Sequence, residues 1–146
     1  MELFVGAIIG LCTALYGVIF SKKIENINRI YDEFSEIVQE AADKSTCYWL
    51  LCGDSEEIKK LEAIIIGYQE KCTFMMQEVF LYSPETKSEL LNLMAEFFDE
   101  LSGGDFEVLQ RRIDGERAKG VQVLAAKIRY RLLVTKNEKF IIFRRL

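Results

Sequence analysis

The hydrophobic and polar positions divide the chain into one uninterrupted apolar block and a series of amphipathic segments. From Leu3 to Phe20 it reads LFVGAIIGLCTALYGVIF, 18 residues without a charge. As a helix this run spans roughly 27 Å, close to the hydrocarbon thickness of a bilayer. A buried helix of a bundle normally keeps a polar stripe, and here only Cys12, Thr13 and Tyr16 interrupt the apolar surface. The pattern predicts a transmembrane helix. No Gly, Pro or capping cluster lies between Ser21 and Ala42, so the helix is expected to continue past the membrane without a break.

Beyond the block, Ile24, Ile27, Tyr31, Phe34, Val38 and Ala41 alternate steps of three and four. That seam suits a short coiled coil or the core face of a bundle helix. The rhythm loosens at Asp43-Lys44-Ser45, and Thr46 to Cys52 (TCYWLLC) reads as a short helical turn or tight corner whose Tyr48 and Trp49 plug the bundle end. Asp54 followed by Glu57 resembles a capping box for a second helix. Its stripe is Ile58, Leu61, Ile65, Tyr68, Cys72, Met75 and Val79, widened by Ile64, Phe74, Met76 and Phe80. Ser83-Pro84 ends it and opens a third helix to about Ser102, with Leu90, Leu93, Met94, Phe97, Phe98 and Leu101 on one side. Gly103-Gly104 stops that helix.

Asp105 is expected to cap a fourth helix, from Phe106 to about Leu133, with Phe106, Leu109, Ile113, Val121, Leu124, Ile128 and Leu132 as its core stripe. Gly115 and Gly120 mark places for a bend or break within it. Thr135 to Glu138 reads as a turn. Lys139 to Leu146 (KFIIFRRL) then reads as an extended tail, an edge strand paired with residues 129–134, or an interfacial segment. The class is all-α: an N-terminal transmembrane helix continuing into a small antiparallel cytoplasmic helical bundle. The divisions are an anchor over 1–21, a bundle over 22–134 and a basic, apolar tail over 135–146.

Composition changes this picture little, since half of the residues are hydrophobic and one is proline. The flanks of the apolar block add an orientation. Lys22 and Lys23 follow it while no Lys or Arg precedes it, which places the N-terminus outside and the bundle in the cytoplasm of a single-pass inner-membrane protein. The run starts after Glu2 and closes on Val18-Ile19-Phe20, without the small-residue exit of a cleavable signal, so it is expected to stay attached.

Candidate chemistry is reduced further by the absence of histidine, which removes the usual general base, the usual metal ligand and every Ser-His or Cys-His arrangement. Neither GxGxxG nor GxxxxGK occurs, and the four cysteines, Cys12, Cys47, Cys52 and Cys72, lack CxxC spacing. They read as reduced, small apolar residues. The acid pairs Glu56-Glu57 and Asp99-Glu100 are chain neighbours that diverge on a helix. No catalytic residue, metal or cofactor is expected, and the chain is not expected to be an enzyme.

Two features point instead to binding. Gly6, Gly10 and Ala14 recur every four residues, with Gly17 one heptad beyond Gly10, a strip that lets helices approach closely and predicts a homo-oligomer. The second is charge. Residues 111–146 hold 11 Lys and Arg against 3 Asp and Glu, net +8, which leaves −12 on residues 1–110. The basic fourth helix can match acidic first and second helices, or face anionic lipid, or face nucleic acid, for which no motif is present.

With alternating helix directions the chain's basic end returns toward the membrane. Arg129, Arg131, Lys136, Lys139, Phe140, Phe143, Arg144 and Arg145 are then candidates for contact with the membrane surface or an anionic partner. The expected function is that of a membrane-anchored adaptor, regulator or complex subunit, acting by oligomerisation and by contact with lipids and an unidentified protein partner. The alternatives are an effector whose oligomerised anchors permeabilise the bilayer, and a tethered nucleic-acid binder.

Overall fold

The apolar block and the seam after it form a single helix. A computed structural model describes residues 2–52, 55–108 and 112–144, with side chains over 13–52, 55–108 and 112–139. Four α-helices run through it: α1 (Glu2–Trp49), α2 (Glu56–Tyr82), α3 (Lys87–Ser102) and α4 (Gly115–Arg144), with a 3-10 turn at Pro84–Thr86 before α3. No strand occurs among the described residues. The helices form a four-cornered bundle in which α1 packs on α2 and α4, α3 closes on α4, and α2 and α4 stand diagonally opposed.

On α1 the seam is buried from Ile27 through Tyr31, Phe34, Val38 and Ala41, and Ile24 at its start is half-buried. The helix does not loosen at residues 43–45, as the sequence pattern predicts, but continues to Trp49, so of the two expectations for Thr46 onward the helical one holds as far as Trp49. Buried Ser45 donates to the Leu101 carbonyl at 3.1 Å and Thr46 to the Ala118 carbonyl at 3.4 Å. Polar residues whose hydroxyls find distant partners have no need to compete with their own backbone. Tyr48 and Trp49 are buried and close the far end of the core as predicted.

The caps also differ from the expected ones. Ser55 caps α2, its hydroxyl accepting from Ile58 N at 3.3 Å, while Asp54 lies outside the described residues. Pro84 does sit in the first turn of the 3-10 segment, but the Ser83 hydroxyl leaves that terminus uncapped and lies 2.5 Å from the Tyr31 hydroxyl, both residues buried. Helix α4 begins at Gly115, not Phe106: Asp114, rather than Asp105, accepts from Arg117 N at 2.9 Å. Phe106 is drawn onto the Tyr48 and Trp49 rings, at 5.0 and 6.5 Å, and the segment turns with positive φ at Gly104 and Glu107. Leu109 lies outside the described residues, and Ile113, predicted in the core, is exposed.

The turn expected at Thr135–Glu138 is helix, and α4 runs on to Arg144, so neither a hairpin nor an extended tail forms there. Thr135 is buried and returns its hydroxyl to the Arg131 carbonyl at 3.0 Å, which satisfies it inside a helix. On α2 the buried positions are Ile58, Ile65, Cys72 and Val79, which step by seven, together with Met76. The expected wider stripe fails at Phe74, which faces solvent.

Burial pushes the Cys72 thiol up to about 12 from 9.0. The unfolded thiol ionises first, so stability is full below about pH 9 and falls as pH rises toward 12. The buried Tyr31 phenol, also raised by burial, acts in the same direction. Melting temperature is expected to drop through this window, and Cys72→Ala, although less stable at neutral pH, is expected to lose much of the slope. A thiol reagent at pH 8 is expected to label exposed Cys47 and Cys52 in the native protein and to spare Cys72.

Candidate interaction surface

Helices α1 and α4 are antiparallel and share a ladder of polar contacts. Gln122 Nε2 donates to Thr46 Oγ1 at 3.0 Å, Arg129 Nη1 to Gln39 Oε1 at 2.6 Å, and Lys136 Nζ to Asp32 Oδ1 at 2.6 Å. The rungs step by seven residues on each helix, the spacing at which one face recurs. Gln39 also donates to Gln122 and Asp43, which ties neighbouring rungs together. One further step sets residue 143 of α4 level with residue 25 of α1, so α4 ends just short of Lys22-Lys23.

Below that level α1 projects, and its described side chains from Thr13 to Ile19 are all exposed. Leu15, Tyr16, Val18 and Ile19 are 54, 71, 55 and 67% exposed. Such a run of large apolar side chains, uncovered around the helix, marks a surface that fits contact with another apolar environment. Among the described residues no helix is long and apolar enough to cross a membrane. The side chains of Leu3 to Cys12, the first part of the charge-free run, lie outside the described set.

The predicted site residues divide accordingly. Gly6, Gly10, Ala14 and Gly17 lie on the projecting part of α1, where Ala14 is exposed and a Cβ added at Gly17 would meet nothing within 4 Å. The side-chain surroundings of Gly6 and Gly10 lie outside the described residues. Of the basic group, Arg129 bonds Ser35 and Gln39, Lys136 pairs with Asp32, and Lys139 with Glu85 at 2.6 Å. Arg131 Nε lies 2.8 Å from Glu89 Oε2, an ion contact without a well-aimed hydrogen bond.

The described cations of the C-terminal half of α4 thus turn toward α1, the 3-10 turn and α3. The matching acids are Asp32, Glu85 and Glu89, not the expected ones on α2. The Lys139 ammonium, hydrogen-bonded to Glu85, holds that carboxyl below the usual carboxylate range. The stability this adds is present at neutral pH and lost as pH falls through that range, and half-exposed Glu85 keeps it small. The backbone of Phe140, Phe143 and Arg144 is helical, their side chains and all of Arg145 lying outside the described residues.

No family model, curated protein or solved structure matches this chain. Its function has to be read from its own surfaces. No group of three or more potential metal ligands occurs among the described residues. The partners Asp32, Gln39 and Gln122 escaped the sequence reading, although their signal was present: Asp32, Gln39 and Thr46 are spaced by seven, as are Gln122, Arg129 and Lys136.

Proposed function

We propose that this chain is a membrane-anchored helical-bundle interaction protein, held by residues 3–20 and acting through self-association and contact with a protein partner. The observation that supports the reading is the projecting end of α1, whose Leu15, Tyr16, Val18 and Ile19 are open to solvent while the bundle closes over its own core. An apolar helix left uncovered beside a well-buried core needs another apolar environment. The charge-free continuation to Leu3 makes a bilayer the environment that fits, and Lys22 and Lys23 then mark the cytoplasmic boundary.

Pairing of Arg131, Lys136 and Lys139 with carboxylates leaves fewer free cations for nucleic acid and supports the protein-partner reading. The end of α4 comes level with residue 25 of α1, which supports the reading that the basic C-terminal end of α4 lies near the leaflet that Lys22 and Lys23 would mark.

Association through the small-residue strip gives the experiment. A Cβ added at Gly17 meets nothing within 4 Å, so Gly17→Ile is a suitable report on contacts between copies. Crosslinked dimer and higher oligomer in native membranes are expected to fall several-fold for Gly10→Ile and Gly17→Ile, with total protein unchanged. Unchanged crosslinking would remove this strip from the interface. Leakage from vesicles loaded with the purified protein would favour a permeabilising effector instead.

A further inference from the structure

The bundle carries two exposed apolar surfaces of opposite charge at the same height. The first is a groove of about 470 Å³ between α1 and α2, lined by Ile37, Phe74 and Met75 together with three carboxylates, Glu33, Glu36 and Glu40, and one cation, Lys71. Phe74 is 65% exposed there. Neither Glu33 nor Glu36 has a basic partner among the described residues, and Glu40 accepts only from the Tyr68 hydroxyl at 3.0 Å. Lys71 lies over the Tyr68 ring at 5.0 Å.

The second surface is the outer face of α4. Val123, Ala126, Tyr130, Leu133 and Asn137 are all exposed and follow steps of three and four, a second helical seam on the side away from the core. Tyr130 is 69% exposed. Lys119 and Lys127 beside this seam have no acidic partner among the described residues, and Arg129 bonds only neutral Ser35 and Gln39.

We propose that copies of this chain associate head to tail, the outer face of α4 of one seating in the α1–α2 groove of the next. Charge decides against like pairing: α4 on α4 would set Lys127 near Lys127, and groove on groove would oppose carboxylates, each costly at an interface. The ridge lies on α4 and the groove on α1 and α2, two different faces of the bundle, so the contact is heterologous and closes into a ring when the rotation permits. The α1–α4 ladder supplies the register. It sets residues 127–133 of α4 level with residues 35–41 of α1, the height of the groove. Copies standing in one direction therefore meet without sliding. That common direction rests on the membrane reading above; the chemistry of the two surfaces does not.

The test labels full-length protein at its native exposed cysteines and reads energy transfer between copies in reconstituted vesicles while lipid dilutes them. Lys127→Glu and Glu36→Lys are each expected to weaken association about tenfold, and the double variant to recover it. Unchanged association in either single variant, no recovery in the double, or stronger association with Lys127→Glu would overturn the proposal, the last by pointing to α4 on α4. If the protein remains in the aqueous phase, the same titration is run there. Loss of anchoring with an intact charge swap then sinks only the membrane reading, and anchoring without the swap sinks only the interface. Both positions are exposed, and matching melting curves confirm that the variants fold.

Discussion

Trp49→Ala is expected to lower unfolding free energy by about 3–5 kcal/mol, the largest effect of any single substitution considered for the bundle. Trp49 is 1% exposed, and its indole N–H donates to the Glu100 carbonyl at 3.1 Å. The Tyr48 ring meets it edge-on at 4.9 Å and the Arg117 guanidinium lies 5.0 Å above it. Its own carbonyl accepts from Asp114 N at 2.9 Å, which joins the end of α1 to the start of α4. Arg117 is in turn held by the Asp99 carbonyl at 2.7 Å, so the surrounding helix ends are fixed and collapse poorly into a void. Trp49→Phe keeps most of the volume and loses the hydrogen bond, a cost of about 1–2 kcal/mol. Denaturant unfolding followed by circular dichroism checks both, since Trp49 is the sole tryptophan and its fluorescence vanishes with it. A loss below about 1 kcal/mol for the alanine variant would mean that the corner repacks.

The second large effect concerns anchoring. Leu11 lies near the middle of the charge-free run, and an arginine there adds about 2.5–3.5 kcal/mol to the cost of insertion. Leu11→Arg is therefore expected to shift much of the full-length protein from carbonate-washed membranes into the supernatant, while Ser21→Arg, just beyond the run, leaves retention unchanged. Equal retention of Leu11→Arg and wild type would show that the run is not inserted. Wild type in the supernatant would remove the membrane reading altogether.

Where the sequence was legible, the information was local. The seam from Ile27 to Ala41 and the end of α3 at Gly103 follow from spacing and a single breaker, and the structure has both. Ser45, Thr46 and Thr135 resemble turn residues until their acceptors are known, and for Ser45 and Thr46 those acceptors sit on α3 and α4, far along the chain. Asp105 and Asp114 are equally good caps by residue type. The choice falls to Asp114 because Phe106 packs on Tyr48 and Trp49 and takes the intervening backbone out of the helix. Phe74 fits an apolar stripe on paper; only the placement of α1 and α3 decides that it faces outward. The basic cluster was visible as composition, but its assignment to Asp32, Glu85 and Glu89 needed the register between helices.

One feature of α1 carries a mechanical consequence. Its 48 residues form an unbroken rod of roughly 72 Å, with no swivel between the projecting end and the plugged corner at Trp49. On the membrane reading proposed above, such a rod passes from bilayer to bundle without a joint and would transmit torque and tilt directly. A change of tilt of about 20° at the membrane carries the Trp49 end sideways by roughly 14 Å. The same rod forms one wall of the α1–α2 groove and one rail of the polar ladder, so any rotation of the membrane segment turns both against their neighbours. If residues 3–20 are inserted as proposed, bilayer thickness and lateral pressure would act as inputs, read out as the angle at which adjacent bundles meet.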